Sequence, residues 1–437
     1  MIINELKNKK VGFVSLGCDK NRVDLEKMIS HIQANGFQIS PVDSADIVII
    51  NTCSFIKDAR VESVDAILNT SMLKYINLEK LIVCGCINNM NYADLNSSMP
   101  EVDAWVKPEE NENIIKVIAK LYDVSLPNKN KYCDTDRYIT TPRHYAYLKI
   151  ADGCNNFCSY CTIPYIRGRF KSTPIKNLTT EAKKLTESGV SEIILVAQDV
   201  TKYGDDLYGK PQLVQLIREL SKIDKLKTIR LLYCYPDLIS DELIEEMAVN
   251  NKVAKYIDMP LQHIDDTVLK NMNRRTNKAQ IISKIEKLRE KMPDIKIRTT
   301  FIIGFPGESD DHFQNLCEFV ETYKLDNVGF FKYSREEGTR AYNMPNQVPQ
   351  SIKSKRLSIL SKLQYNVVAE KNNAMLGKEI DIVVDSIEGN IAVCRHNSCP
   401  DVDAVVLVPH KNRLEIGNTY KVKITKIQKY DLRGEIL

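Results

Sequence analysis

The sequence predicts an α/β protein in three parts: a parallel α/β domain, a partial barrel of six βα units, and a small closed β-barrel. Three observations predict it. Short apolar runs alternate with helical stretches in the first third, the alternation repeats six times through the middle, and brief alternating strands begin near Glu370. A length of 437 residues suits about two to four domains. Apolar residues make up 43%, enough for more than one core, and 61 Lys+Arg against 57 Asp+Glu leave only +4, so there is no polybasic arm or acidic tail. The apolar runs, such as Ile47–Ile50 and Ile193–Ala197, are strand-sized, far short of the roughly 20 residues of a membrane helix. Met1–Lys10 lacks the apolar core of a signal peptide. These features exclude a membrane protein, a secreted disulfide scaffold and a disordered chain, and point to the cytoplasm. In that reducing compartment the clusters among the twelve cysteines read as metal ligands or catalytic groups.

In the first third, the buried-strand runs Val11–Leu16, Ile47–Ile50 and Leu81–Cys84 each lead into a cysteine: Cys18, Cys53 and Cys86. Helical spacing near Val23–Asn35 and Asp58–Leu68 separates them, which implies a parallel sheet covered on both faces. Loops at the carboxyl ends of such strands share one edge, where ligands bind. The three cysteines are therefore expected to converge, although any one of them alone reads equally well as a buried small hydrophobe. Three thiolates leave one corner of a tetrahedral metal site open, or one iron of a [4Fe–4S] cluster without a protein ligand. Cys84 competes with Cys86, but it falls inside the strand while Cys86 occupies the turn, so Cys86 is taken as the ligand.

A polar, turn-rich linker, about Pro127–Arg143, precedes the middle region. There Gly153-Cys154-Asn155-Asn156-Phe157-Cys158-Ser159-Tyr160-Cys161 has the spacing C-x₃-C-x₂-C. One compact loop of this kind can wrap three thiolates around an iron–sulfur cube and leave the fourth iron free. A closed zinc site needs a fourth ligand, and no nearby His or Cys supplies one. The spacing resembles the radical S-adenosylmethionine superfamily, in which the free iron binds the amino acid end of that cofactor. By that resemblance Tyr160 packs against the adenine; otherwise it is a core tyrosine.

Six strands are read at Tyr145–Ala151, Glu192–Gln198, Thr228–Cys234, Tyr256–Leu261, Lys296–Ile303 and Asn327–Tyr333. Helical segments follow near Ile175–Ser188, Gln212–Ile223, Asp241–Asn250, Lys278–Lys291, Asp310–Tyr323 and Ile352–Asn373. Six βα units make a three-quarter barrel with a lateral mouth, and the chemistry of parallel barrels sits at the carboxyl ends of strands. The residues expected there are Gln198-Asp199, Tyr235-Pro236, Gln262-His263, Gly304–Glu308 and Ser334-Arg335. Of these, Gln262 and Gly304 are candidates for cofactor binding, since a glycine lets the backbone approach a ligand closely. His263 reads more simply as a structural histidine, and Gly304–Gly307 as a turn.

Beyond Glu370, Ile380–Val384, Ala404–Val408 and Tyr420–Ile424 alternate as strands separated by turn signals at Glu388–Asn390 and Ile416–Asn418, which suggests a small barrel. Such barrels often bind nucleic acid through basic stripes, yet residues 370–437 hold ten Lys+Arg and ten Asp+Glu, a balance of zero. Cys394 and Cys399, at C-x₄-C without partners, stay unassigned.

Together the three parts resemble the methylthiotransferase family of radical S-adenosylmethionine enzymes, from about Lys10 to the end. The motifs are Ser15–Asp24, Val196–Gly204, Leu232–Pro236 and Tyr333–Thr339, and they resemble the branch acting on an aspartate of a ribosomal protein rather than on transfer-RNA adenosine. Asp19 stands where many members have proline, and Lys171-Ser172-Thr173 where an Arg-Ser-Arg run is common.

The resemblance implies three domains: an N-terminal methylthiotransferase domain over 9–125, a radical-type core over 140–369 and a TRAM-type barrel over 370–437. It implies two [4Fe–4S] clusters, one on Cys18, Cys53 and Cys86, the other, catalytic, on Cys154, Cys158 and Cys161, with S-adenosylmethionine. The resemblance further implies that an electron delivered to the second cluster would cleave S-adenosylmethionine to a 5′-deoxyadenosyl radical, which would take hydrogen from the β-carbon of an aspartate in the twelfth small-subunit ribosomal protein. By the same resemblance the first cluster would hold the sulfur species that captures the carbon radical, and a second S-adenosylmethionine would supply the methyl group. The implied partners are that ribosomal protein, free or in the ribosomal particle, and an electron donor. No membrane is implied, and RNA is at most a contact. Two other classes stand beside this reading: a transfer-RNA methylthiotransferase, and an iron–sulfur scaffold or carrier without radical chemistry.

Overall fold

The computed structural model describes Leu6 and residues 8–89, 95–125, 133, 135–410 and 414–437. Most of the amino-terminal segment Met1–Lys10 and most of Pro127–Asp134 lie outside them. The chain forms two compact units. One comprises Met1–Thr140, Tyr147–Phe157 and Cys161–Leu185; the other comprises Thr141–Ala146, Cys158–Tyr160 and Thr186–Leu437.

The first unit is built on a parallel sheet of β1 (Lys10–Ser15), β2 (Gln38–Ile39), β3 (Ile47–Thr52), β4 (Lys80–Gly85) and β5 (Ala104–Val106). Their order is β2-β1-β3-β4-β5. Side chains alternate across it with period two. Ile47, Ile49, Ile82 and Cys84 face the helices Asp19–Ala34 and Ile114–Leu121, while Val48, Ile50, Leu81 and Val83 face the helix Lys57–Ser71. Both faces are covered, and for that reason β3 is buried at every residue. The two strands beyond the three expected, β2 and β5, span only two and three residues, too short to leave a periodic signal. In a parallel sheet of this order the sense of strand connection switches between β1 and β3, and their carboxyl ends open a crevice.

In the same unit β7 (Ala151–Asp152) and β8 (Lys171–Ser172) pair antiparallel and pinch the chain on either side of the C-x₃-C-x₂-C loop. The far part of the linker is no free tether. Arg137, with its side chain 1% exposed, is held between Glu26 and Glu181.

The second unit carries a six-stranded sheet in the order β13-β12-β11-β10-β9-β6. Its members are β9 (Glu192–Val196), β10 (Thr228–Leu231), β11 (Val253–Asp258), β12 (Lys296–Ile303) and β13 (Asn327–Lys332), parallel from β9 to β13, with β6 (Tyr145–Lys149) contributing Tyr145 and Ala146 to this unit. Helices Leu213–Ser221, Asp241–Val249, Lys278–Lys291, Asp310–Tyr323 and Gln350–Asn373 lie where the sequence predicts them, to within two residues.

The unit ends in a closed barrel of β14 (Glu379–Glu388), β15 (Ile391–His396), β16 (Val406–Pro409), β17 (Thr419–Gln428) and β18 (Asp431–Ile436). The sequence reading recognises β14, β16 and β17 and passes over β15 and β18, whose charged residues blur the apolar alternation. The reason for one of those charges is tertiary. Arg395 of β15 is buried and donates to Glu192 at the start of β9 (2.7 Å) and to Asp385 (3.0 Å). Arg230 of β10 donates to the other oxygen of Glu192 (2.7 Å), and His144 meets Asp385 at 2.7 Å. Burial alone would raise the Glu192 carboxyl, but the two guanidiniums override it and hold it at about 2. This network fastens the small barrel to the amino end of β9 and to Arg230 within β10, leaving the carboxyl end of β9 for function.

Candidate active site

Cys18 follows β1 and caps the helix Asp19–Ala34, whose amino end favours a thiolate. Cys53 follows β3, and Ser63 clamps it: the Cys53 amide donates to Ser63 Oγ (3.1 Å), and that hydroxyl donates to Cys53 O (2.7 Å). Cys86 follows β4 after Gly85, which adopts φ +94; a Cβ there would sit 2.5 Å from Asn51 Oδ1, so only glycine can turn the chain out of the strand at this point. Asn21 and Asn51 knit the three loops. Asn21 Nδ2 donates to Leu16 O (3.1 Å) and Thr52 O (2.8 Å), and Asn51 Nδ2 donates to Asn21 O (2.7 Å).

The structure therefore brings Cys18, Cys53 and Cys86 within electrostatic reach of one another. Burial pushes the Cys53 thiol up, with Cys18 adding to the rise. Burial lifts Cys86 to about 11 against the pull of Arg167, and Cys53 and Cys18 push the same way as burial. Arg167 Nε donates to Cys86 Sγ at 3.4 Å. Cys84 is different: it lies wholly buried within β4, packed into the core under the helix Asp19–Ala34, and burial drives its thiol far up. Among the described residues no three His, Cys, Asp or Glu side chains close on the position of a single ion.

The second cysteine set sits on the loop pinched by β7 and β8. Gly153, at φ +70, would place a Cβ 2.2 Å from Arg169 O, and the Cys154 amide donates to Gly168 O at 3.1 Å. Backbone amides already point at two of the sulfurs: Asn156 N lies 3.4 Å from Cys154 Sγ, and Ile163 N lies 3.4 Å from Cys161 Sγ. In the second unit Cys158 Sγ lies 3.6 Å from the Tyr235 hydroxyl and 3.8 Å from Arg274 Nη1. The buried Arg274 guanidinium stacks 3.7 Å over the Tyr235 ring. Donors aimed at sulfur are what an iron–sulfur cluster on thiolates requires, because they spread its negative charge. Both sets fit such a group by that test.

Tyr160 packs edge-on against Phe305 (6.5 Å between centroids) in a cluster with Met272, Tyr333 and Ala341. Gly304 has φ +71, and a Cβ there would lie 2.4 Å from Lys353 Cγ; the chain's own lysine already requires glycine here. Gln262, four residues beyond β11, takes φ +70 and exchanges backbone hydrogen bonds with Thr300 and Ile302. A non-glycine residue in that region marks stored strain. His263 is fully buried, accepts from the Asp265 amide (3.0 Å) and lies 3.5 Å from Glu308, as a structural histidine does. Asp199 caps its own turn through Thr201, and Arg335 serves Tyr342. Lys171, Ser172 and Thr173 line a cavity of about 340 Å³ with Lys27, Lys149 and Asp152. On β17 of the small barrel, Lys421 meets Asp381 (3.3 Å), and Lys423 stands in register between Glu379 and Glu435. Lys426 of the same strand stands opposite Arg433, so the charge of this strand is offset only in part.

Asn21, Asn51, Arg167 and Arg274 are site residues that the sequence reading did not single out. Asn51 had a visible signal, a polar side chain closing the apolar run before Cys53. The two arginines had none, since their partners are remote in sequence.

Residues 148–320 match the radical SAM superfamily, residues 10–107 the uncharacterized protein family UPF0004, and residues 376–437 the TRAM domain. Solved structures agree on the fold. The radical S-adenosylmethionine methyltransferase TsrM of Kitasatospora setae, with cobalamin and a [4Fe-4S] cluster bound, gives a TM-score of 0.57 at 14% identity, covering 76% of this chain and 77% of its own. The cobalamin-dependent S-adenosylmethionine radical enzyme OxsB gives 0.53 at 13% identity, covering 83% and 58%. These matches define a radical S-adenosylmethionine enzyme, the class that works with a [4Fe–4S] cluster and S-adenosylmethionine.

Full-length relatives narrow the class. Proteins called ribosomal protein uS12 methylthiotransferase RimO match over 98% of this chain: that of Clostridium botulinum is 46% identical over 98% of its length, that of a Thermoanaerobacter species 43% over 100%, and that of Clostridioides difficile 42% over 99%. The chain belongs to the RimO methylthiotransferase family. Among the described residues no helix is long and apolar enough to cross a membrane.

Proposed function

We propose that this enzyme adds a methylthio group to the β-carbon of an aspartate in ribosomal protein uS12, in the cytoplasm, drawing electrons from a separate donor. It works as three domains, 9–125, 140–369 and 370–437. In this reading Cys154, Cys158 and Cys161 hold the [4Fe–4S] cluster that binds S-adenosylmethionine, with Tyr160, Gln262 and Gly304 beside the cofactor. Cys18, Cys53 and Cys86 hold the second cluster. Bound there, the cluster and S-adenosylmethionine supply a radical able to break an unactivated C–H bond, chemistry beyond any side chain. The chain's own residues do the rest. Amides 156 and 163 and Arg274 donate toward the loop sulfurs, and Arg167 donates toward Cys86.

The observation that carries this reading is that Cys18, Cys53 and Cys86 follow the carboxyl ends of three neighbouring parallel strands, β1, β3 and β4, in a chain 46% identical to a uS12 methylthiotransferase over 98% of its length. The zero charge balance of residues 370–437 supports a protein substrate. An RNA-reading surface that neutralised several phosphates would be basic, and its binding would fall steeply with salt. Any RNA contact is incidental to docking on the ribosomal particle.

The test is product analysis. Anaerobically reconstituted enzyme, given reductant and S-adenosylmethionine, should methylthiolate uS12 or small-subunit particles and leave transfer RNA unmodified. Methylthio-adenosine in transfer RNA, with uS12 unchanged, would overturn the substrate assignment. Absence of 5′-deoxyadenosine under the same conditions would favour a scaffold.

A further inference from the structure

Arg167 lies just beyond the C-x₃-C-x₂-C loop, but its guanidinium faces the other cysteine set. Nε donates to Cys86 Sγ at 3.4 Å, Nη1 meets Asp24 at 2.6 Å and Asp152 at 3.0 Å, and Nη2 donates to Asn21 Oδ1. Its side chain is 3% exposed. Every arm of the fork is therefore committed inside a low-dielectric interior, where a charge-assisted hydrogen bond is strong and directional. Two of the partners lead onward. Asn21 is the residue that ties the loops after β1 and β3 together. Asp152 takes the other half of its load from the loop itself, since its Oδ1 accepts from the Gly153 amide at 2.9 Å, one residue before Cys154. Lys149, which pairs with both Asp24 and Asp152, completes the charge balance around the fork.

We propose that Arg167 is a positioning residue that orients Cys86 and tunes the cluster held by Cys18, Cys53 and Cys86, coupling that site to the start of the Cys154 loop through Asp152. The inference rests on the ligand assignment made above. Its physical content is simple. A guanidinium N–H on a ligating sulfur withdraws charge from it and makes the cluster easier to reduce. Lysine would keep a cation for Asp24 and Asp152 but lacks the planar fork needed to reach the sulfur as well.

The experiment uses the full chain with Cys154, Cys158 and Cys161 replaced by Ala, so that iron, sulfide and midpoint potential report the N-terminal cluster alone. If that parent binds no iron after reconstitution, the ligand assignment fails, and the failure is not Arg167's. If it loads, Arg167→Gln should shift the reduction equilibrium about tenfold toward the oxidised form, about 59 mV for a one-electron couple. Arg167→Lys should shift it in the same direction by less. A loaded Arg167→Gln variant with the parent potential overturns the proposal. Loss of iron from both variants with an unchanged circular dichroism spectrum and melting temperature supports the positioning role in its strongest form. Failure of both to fold overturns it, because Arg167 would then serve the fold and not the cysteine.

Discussion

Cys154, Cys158 and Cys161 fall within eight consecutive residues, whereas Cys18, Cys53 and Cys86 come from three strand ends more than thirty residues apart. The first set is shaped locally, by Gly153, by the β7–β8 pinch and by amides two residues beyond each of two sulfurs. The second exists only once the sheet β2-β1-β3-β4-β5 has formed; Asn21 and Arg167 meet the Cys86 sulfur, and Ser63 holds the Cys53 backbone. A loop of short contour can present ligands cheaply in entropy, while three remote loops must be ordered by a core. The two sites should therefore fail in different ways.

The largest effect separates them outright. Replacing Cys154, Cys158 and Cys161 together by Ala should abolish 5′-deoxyadenosine formation and lower iron from about eight to about four per chain. Surviving cleavage, or undiminished iron, would erase the distinction. Next, Cys86→Ala should lose the N-terminal iron and methylthiolation while reductive cleavage of S-adenosylmethionine continues. Cys84→Ala should keep its iron and lose only about 1 kcal/mol of stability in urea unfolding, the cost of a small core cavity. The reverse pattern would make Cys84 the ligand.

A variant remote from both sets sharpens the comparison further. Glu192→Gln leaves Arg230 and Arg395 buried with one compensating charge removed and should cost about 3–5 kcal/mol. Its iron content should be unchanged below the melting transition. Because the folded carboxyl titrates at about 2 instead of the usual 4.5, its stabilisation is fully present above pH 4.5 and is lost as pH falls toward 2. Urea midpoints between those values should fall more steeply for the parent than for the variant. Equal slopes would show that the network does not hold the carboxylate charged. The smallest effect belongs to the barrel surface. Lys421→Gln and Lys423→Gln should each change stability by less than about 0.5 kcal/mol and leave uS12 modification and its salt dependence unaltered. A flattened salt dependence would reveal a phosphate contact on this face.

Much of the site was legible because cysteine spacing and strand ends are local features. The apolar runs before Cys18, Cys53 and Cys86 gave both the strands and their carboxyl-edge position, and the distinction between Cys84 in the strand and Cys86 in the turn follows from counting along β4. What was not legible involved polar residues with distant partners. Gly304 looked like a place for a cofactor to approach, yet Lys353 occupies the space a Cβ would take. Pro127–Arg143 read as a linker, yet Arg137 within it is buried against Glu26 and Glu181.

By itself the sequence determined the three-part α/β architecture, the six helix–strand units, the two cysteine sets and the family they resemble, because periodicity, turn chemistry and ligand spacing are written in neighbouring residues. The tertiary structure alone decided that Arg167 turns from its own loop to Cys86, that Arg395 reaches across to Glu192, and that Lys421 meets Asp381. Those contacts join residues separated by 40 to more than 200 positions, and a charged side chain carries no mark in the sequence of which buried partner will offset its desolvation.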